Sequence, residues 1–474
     1  MPKILKFFNS NKIVGTFSIY LIGSFVLKGV SFITTPIFTR ILSTEEYGVI
    51  TIFLTWASFF AVFIGFQVSG SIAAAYIHKE KENFMRYMKS IAVLSVLSAI
   101  IVSIVCLLFS DVISKLLQIE SNIMIHLVIQ AYGLSCATVY SIYTIQTKQP
   151  KQNVMFSVIV TLLVVSLSMV LIFTFDEDKF LGRIYAGSLV YLIVIFYVVR
   201  KFILGEKAKI QLSDWRYSIK LGSPLIIHLL ANIIIGQSDR IYLKSYIGLE
   251  AAAIYSVCYN ISIIGMLFAE VGNKVWSPWY LENTKNKNNF VVNKAAGKFS
   301  LMIALVFVFV MFVSPEVLIF MAPEEYWVGK STLLLITASI YYQFLYRFPL
   351  TYEQFSQNMN WVAVSTITAS LLNLSLNYFF IDYFGLIGAA IASYVSYLAL
   401  FLMHEYVARK ILKGYNIKIS SYISGILIVT SFAVLTYFLL DYWYLRYGII
   451  LILFLIGVYL FFKKREILDN LLKP

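Results

Sequence analysis

Residues 154–175 read Val-Met-Phe-Ser-Val-Ile-Val-Thr-Leu-Leu-Val-Val-Ser-Leu-Ser-Met-Val-Leu-Ile-Phe-Thr-Phe, 22 residues without a charge. Lys148 and Lys151 precede the run, and Asp176, Glu177 and Asp178 follow it. As a helix it is about 33 Å long, close to the thickness of a bilayer's hydrocarbon core. Water would force such a helix to be covered on every side. Lipid asks only that its backbone hydrogen bonds close within the segment. The lysines at one end give the span a direction, because basic residues gather on the cytoplasmic side of a membrane.

The pattern repeats along the chain. About fourteen apolar runs reach spanning length, near 14–37, 47–67, 88–109, 123–145, 154–175, 182–203, 219–243, 251–273, 297–321, 331–348, 361–381, 385–407, 421–440 and 444–462. Pro315, Pro323 and Pro349 fall near the ends of the ninth and tenth runs, where a helix tolerates proline best. The composition agrees: of 474 residues 60% are hydrophobic and 13% charged, against about 25% charged in soluble domains. A soluble fold is excluded, and an all-α polytopic membrane protein is expected. No cleavable leader is expected at the start, where the first apolar run follows Lys3, Lys6 and Lys12 and continues into a full span.

Placing the first residues inside sorts the basic side chains. Of 38 lysines and arginines, 29 fall in the inner segments and 8 in the outer ones, with Lys28 left within the first span. This alternation predicts both termini on the cytoplasmic side of a bacterial inner membrane. It also accounts for the net charge of +14 without a nucleic-acid partner. Every loop is short, and none could fold alone. There is no phosphate-binding glycine loop, and His404-Glu405 lacks the second histidine of a zinc-protease motif. Asp176-Glu177-Asp178 could be taken for a glycosyltransferase metal triplet, but an isolated acidic turn between spans is the simpler reading. Cys106, Cys136 and Cys258 make no metal or redox spacing. No catalytic residue, metal or cofactor is called for, and a transporter is what remains.

An internal repeat supports this. At an offset of 205, the exit of the first span overlies that of the seventh, with Leu42 on Ile247 and Glu45 on Glu250. Both places carry a span, a short outer turn with a basic residue and a glutamate, then another span. An even separation of six spans keeps both copies in one orientation. The expected division is a six-helix lobe over 1–210, a second over 211–415, and two trailing helices over 416–474.

Three segments carry a resemblance. They are Thr35-Pro36-Ile37-Phe38-Thr39-Arg40-Ile41-Leu42-Ser43-Thr44-Glu45-Glu46-Tyr47-Gly48, then Gln237-Ser238-Asp239-Arg240-Ile241-Tyr242-Leu243, then Leu372-Asn373-Leu374-Ser375-Leu376-Asn377-Tyr378 with Phe384-Gly385-Leu386-Ile387-Gly388-Ala389-Ala390. Together they resemble the Wzx-like polysaccharide transport family of the multidrug/oligosaccharidyl-lipid/polysaccharide exporter superfamily. The resemblance implies two pseudo-symmetric six-helix bundles around a central cavity that opens by alternating access. It implies a cargo of polyprenyl-pyrophosphate-linked oligosaccharide, flipped from the inner to the outer leaflet for O-antigen, capsule or exopolysaccharide. Partners would be the bilayer and the polysaccharide polymerase with other assembly proteins.

Cations that could meet the cargo's pyrophosphate are therefore candidates. Lys28 is the sharpest, since a charge within a span is costly, although a lysine can also reach out to the interface. Its rival partner to phosphate is Asp239. Arg40 and Arg240 stand at outer span ends, where interface anchoring competes with phosphate binding. Arg347 could meet the cargo at the inner end. Glu270 and Lys274, four residues apart, suggest a local surface pair. Asp239 and Arg240 are adjacent, so one should pair with a neighbouring helix. His228 and Asp239 are candidates for coupling to an ion. Asn373 and Asn377 share a helix face and suit either helix packing or sugar contact. Of the aromatics, Tyr140, Tyr143, Tyr255 and Tyr259 lie within spans and could stack on sugars. Three rivals remain. A lipid II flippase of the same superfamily would be expected to show more arginines early in the chain. A multidrug antiporter would be expected to carry a carboxylate within the first six spans. A membrane glycosyltransferase or polymerase would need a large outer loop.

Overall fold

The computed structural model describes residues 11–65, 68–79, 81–205, 207–356, 359–455 and 459, without the side chains at 11–17, 77, 78, 81, 82, 224, 225, 228, 278 and 359. Those residues are helical nearly throughout, with no strand among them. The first helices are α1 (Asn11–Ile41), α2 (Thr44–Ile64), α3 (Ser69–His78), α4 (Lys81–Leu108), α5 (Ser110–Leu117), α6 (Met124–Gln146), α7 (Pro150–Ile172) and α8 (Phe180–Val199). There follow α9 (Leu212–Tyr246), α10 (Leu249–Ser262), α11 (Ile264–Lys285), α12 (Asn289–Met321), α13 (Lys330–Leu345), α14 (Arg347–Phe355), α15 (Met359–Tyr406), α16 (Ser420–Phe438) and α17 (Trp443–Leu455).

Helix occupies most of the described part of each of the fourteen apolar runs. Nine described helices are long and apolar enough to cross a membrane, or ten if the bent pair α10–α11 is one crossing. The difference has plain causes. α9 carries too many polar side chains to pass on apolarity, α13 has 16 residues, and α17 lies among the shorter helices. One of the nine, Asn360–Ile411, holds two of the runs in 52 residues, about 78 Å of helix. Its regular backbone breaks at Gly385, with φ 57° and ψ −132°, a conformation that suits glycine.

The surface is that of a protein in lipid. On α7 the buried residues include Asn153 and Ser168, while Met155, Ile159, Leu162, Leu163 and Val170 are exposed. Large apolar side chains predominate on the outward face of this helix, which a helix in water would keep polar. This is a multi-pass membrane protein.

The chain forms two compact units, Met1–Ser256 with Ala363–Gly385, and Val257–Val362 with Leu386–Pro474. Within the first, α8 packs on α6 and α7, α2 packs on α6, and α9 runs beside α2, α3 and α4. The turn into α2 closes with a capping box: Ser43 Oγ accepts from the Glu46 amide at 3.1 Å, and Glu46 Oε2 accepts from the Ser43 amide at 2.9 Å. The two repeat-related exits touch. A Cβ on Gly48 would stand 2.2 Å from the Leu249 carbonyl oxygen, so only glycine allows α2 to approach the start of α10 this closely.

Within the second unit, α12 is the central helix and packs along α16, α11 and α13. Pro315 lies inside α12, near its end. Proline offers no amide to the Met311 carbonyl. The Ser314 hydroxyl donates to that oxygen at 2.9 Å instead, so the helix continues through the proline. Arg446, buried before the middle of α17, donates to the Phe312 carbonyl and forms a two-pronged ion pair with Glu316.

Candidate functional site

One buried polar cluster of the first unit lies where α9, α10 and α15 meet. A carboxylate buried there needs a donor for each oxygen. Asp239 Oδ1 accepts from Asn377 Nδ2 at 2.7 Å, and Oδ2 accepts from the Tyr255 hydroxyl at 2.8 Å. One residue earlier, the Ser238 hydroxyl donates to Asn373 Oδ1 at 2.8 Å. Asn377 Nδ2 also lies 3.2 Å from both Ser238 Oγ and Asn373 Oδ1. Ser238, Asp239, Asn373 and Asn377 are all buried. Asn373 Nδ2 and Asn377 Oδ1 have no hydrogen-bond partner among the described residues. The cluster thus holds a carboxylate beside an unused amide donor and an unused amide acceptor.

The adjacent pair Asp239 and Arg240 answers to an adjacent pair on α10. Arg240 Nε donates to Ser256 Oγ at 2.8 Å, next to the Tyr255 contact, and Arg240 Nη1 donates to the Gly236 carbonyl at 2.8 Å. Neither residue stands alone on its helix face: both reach α10. Asn373 and Asn377 join α15 to α9 through the same cluster.

The remaining candidates lie apart. Lys28 is exposed on α1 and makes no hydrogen bond or ion pair among the described residues, so it does not pair with Asp239. Beside it, Gly29 has no atom within 4 Å of where a Cβ would stand. Arg40 is exposed, with Nη1 donating to the Pro36 carbonyl at 2.9 Å. In the second unit Arg347 Nη2 lies 3.4 Å from Glu270 Oε1. Glu270 therefore pairs with Arg347 and not with Lys274, since the bend between α10 and α11 and the packing of α11 on α14 set its neighbours. The His228 side chain lies outside the described residues. Asp176, Glu177 and Asp178 are exposed, and no described group of three or more His, Cys, Asp or Glu is arranged to hold a metal.

Three features went unread in the sequence. Tyr255 serves as a hydrogen-bond donor to a carboxylate. Tyr140 and Tyr143 pack under the Lys201 ammonium at 5.0 and 5.3 Å. Asp214, in the first turn of α9, is buried against α3 and α4. Its Oδ1 accepts from Lys79 Nζ at 2.9 Å and its Oδ2 from the Ser90 hydroxyl at 3.1 Å, with Arg86 Nε 3.6 Å away. Trp215 Nε1 donates to the Ser90 carbonyl at 2.7 Å, which fastens the start of α9 a second time. An acid among many basic loop residues was the only signal for it.

Comparison with known proteins follows the same lines. The profile of a family described as Polysaccharide biosynthesis protein matches residues 14–284. A protein of the Haemophilus influenzae Lsg locus is 23% identical over 384 residues, covering 78% of this chain and 94% of that one. The succinoglycan biosynthesis transport protein ExoT of Rhizobium meliloti is 26% identical over 53% of this chain, which spans about half (48%) of that relative. Among solved structures, the lipid II flippase MurJ in an inward closed conformation superposes with a TM-score of 0.74 at 14% identity, over 94% of this chain and 99% of that one. An inward-facing multidrug resistance MATE family transporter of the MOP superfamily gives 0.60 at 16% identity, over 82% of this chain and 95% of that one. The fold is the one these two transporters share.

Proposed function

Since the chain belongs to the polysaccharide biosynthesis protein family, we propose that it flips a polyprenyl-pyrophosphate-linked oligosaccharide from the inner to the outer leaflet of a bacterial inner membrane. The observation that carries this reading is the pairing of that family match over 14–284 with a flippase fold over 94% of the chain. The physics of the cargo agrees. A pyrophosphate and a glycan do not cross hydrocarbon unaided, and a protein that is nearly all spanning helix can shield them while the prenyl tail stays in lipid.

In this reading the chain crosses fourteen times with both termini cytoplasmic, and its lobes are 1–210 and 211–415 with trailing helices over 416–474. Lys28, Arg40, Arg240 and Arg347 meet the pyrophosphate at successive stages of alternating access. The exposed, unpaired ammonium of Lys28 supports its part most directly. Asp239, with the unused amide atoms of Asn373 and Asn377 beside it, is the carboxylate that a coupling cation would meet. His228 is a second coupling candidate, and the asparagines are also placed to meet sugar hydroxyls if the cluster opens. The flipped product passes to a polysaccharide polymerase or another assembly protein.

The test is reconstitution. Purified protein in vesicles should move a fluorescent polyprenyl-pyrophosphate oligosaccharide between leaflets, read by the share of dye open to an impermeant quencher. Vesicles that leave the glycan in place but extrude a lipophilic cationic dye would replace this reading with multidrug export. Movement of a lipid-linked peptidoglycan precursor in preference to other glycans would replace it with lipid II flipping.

A further inference from the structure

A second buried polar group stands in the other unit. Glu353 on α14 is 0% exposed and His404, close to the end of α15, is 1% exposed. His404 Nδ1 lies 2.9 Å from Glu353 Oε2 and 3.1 Å from Oε1. The Tyr346 ring lies nearly parallel over the imidazole, 5.5 Å between centroids and 20° apart. The other ring nitrogen, Nε2, is buried and has no partner among the described residues.

The surrounding charges close on themselves. Glu405 next to the histidine is bonded to Arg409. Arg347, at the start of α14, is paired with Glu270 of α11. The other titratable groups about the pair are tyrosines: Tyr346 before α14, Tyr352 within it, Tyr280 from α11, and Tyr415 and Tyr422 beyond the end of α15. The remaining charges of these elements, Lys274, Glu282 and Lys285 of α11 and Lys410 just after α15, are exposed, so no other buried charge of these elements compensates the pair, and its own protonation sets its charge.

That geometry fits a group that gains and loses a proton. With a neutral imidazole, Nδ1–H donates to the carboxylate and the pair carries one negative charge. With an imidazolium, the same Nδ1–H bond remains and the pair is neutral. The contact that holds α14 to α15 survives in both states, and the proton comes and goes at Nε2, which is committed to nothing else. A purely structural ion pair in this setting would be expected to place both ring nitrogens on partners.

We propose that Glu353 and His404 form a proton-binding site through which the chain exchanges one proton for each cargo molecule moved. Nε2 takes a proton from the more acidic side, the pair goes from one negative charge to none, and the proton leaves to the other side as the cycle completes. Nothing else is consumed. The proposal rests on the flippase reading for its cargo but not for the site itself.

The experiment therefore has two arms. In sodium-free vesicles with the potential held at zero by valinomycin and equal potassium, a gradient of about one pH unit should sustain about a tenfold transbilayer ratio of the fluorescent glycan for one proton exchanged. His404→Gln keeps an N–H for Glu353 but cannot titrate, so it should equilibrate the glycan to a ratio near unity. A wild-type ratio near unity, or a tenfold ratio in His404→Gln, overturns the proposal. The second arm needs no cargo. In the purified full chain, the histidine ring resonance lost in His404→Gln should shift over the pH range spanned by the gradient of the first arm, and Glu353→Gln should alter that shift. A resonance fixed in one state across that range overturns the site. Wild type that moves no glycan at all sinks the flippase reading, and the resonance then decides the proton site alone.

Discussion

Asp239 accepts a hydrogen bond from the Tyr255 hydroxyl at 2.8 Å, and the next residue, Arg240, donates to the next residue, Ser256, at the same distance. Two consecutive positions of α9 are thus bonded to two consecutive positions of α10. Tyr255→Phe removes one donor from a buried carboxylate without changing the packing volume. The expected cost is about 1–3 kcal/mol, read as a lower melting temperature of the purified protein. A Tyr255→Phe variant as stable as wild type would mean that the bond contributes nothing measurable.

Asp214 is the corresponding fastening at the other end of α9. Asp214→Ala leaves Lys79 and Arg86 facing each other without an acid, and also takes a partner from Ser90. Both cations are partly exposed, with side chains at 22% and 24%, so solvent screens part of the loss. A destabilisation of about 1–3 kcal/mol is expected, again by thermal melting. Lys79→Met alone should cost less, since Arg86 remains near the carboxylate. A Lys79→Met effect larger than that of Asp214→Ala would be wrong for this arrangement.

Lys28→Ala should abolish export of surface polysaccharide while the protein still inserts and accumulates. No described side chain depends on the ammonium, so its removal has little to break structurally. Lys28→Arg should keep part of the activity because the charge remains. Equal export by Lys28→Ala and wild type would reduce the residue to a lysine that reaches the interface.

Reporter fusions test the proposed topology. Fusions after residues 80, 150, 210, 285 and 415 should read cytoplasmic, and those near 44, 178 and 326 external. A cytoplasmic reading at 178 would break the arrangement of the first six spans.

The membrane potential should also act on the cargo. A potential negative inside contributes roughly 2.3 kcal/mol per charge per 100 mV, so about 4–5 kcal/mol favours export of a doubly charged pyrophosphate. Imposing a potassium–valinomycin potential on vesicles without a pH or sodium gradient should raise net outward movement. Movement that ignores the potential would show that the cargo crosses with its charge compensated.

Much of this fold could be read from the chain, because an uncharged run such as 154–175 has few ways to be stable except across lipid. α9 was legible for another reason: the surrounding charge alternation demanded a span where Asp239 and Arg240 lower the apolarity. Asp239, Asn373 and Asn377 were singled out individually, and the spacing of the asparagines put them on one face. Their assembly into one cluster was not legible, since Tyr255 and Asn377 reach Asp239 from two other helices. Glu353 and His404 lie 51 positions apart, and the sequence offered only His404-Glu405 as half of a motif that the fold does not build. Pairings across helices depend on packing, which residue spacing within one helix does not record.

The proline in α12 has a mechanical consequence. Two backbone acceptors beside it, at Met311 and Phe312, are taken up by side chains, Ser314 from within the helix and Arg446 from α17. A rod with a missing strut bends most easily at that point; here Ser314 fills the gap from within the helix, and Arg446 braces the next carbonyl from a separate one. α17 therefore acts as a splint: through Arg446 and Glu316 it braces the central helix of its unit beside the proline, and loosening that attachment would let the helix flex further.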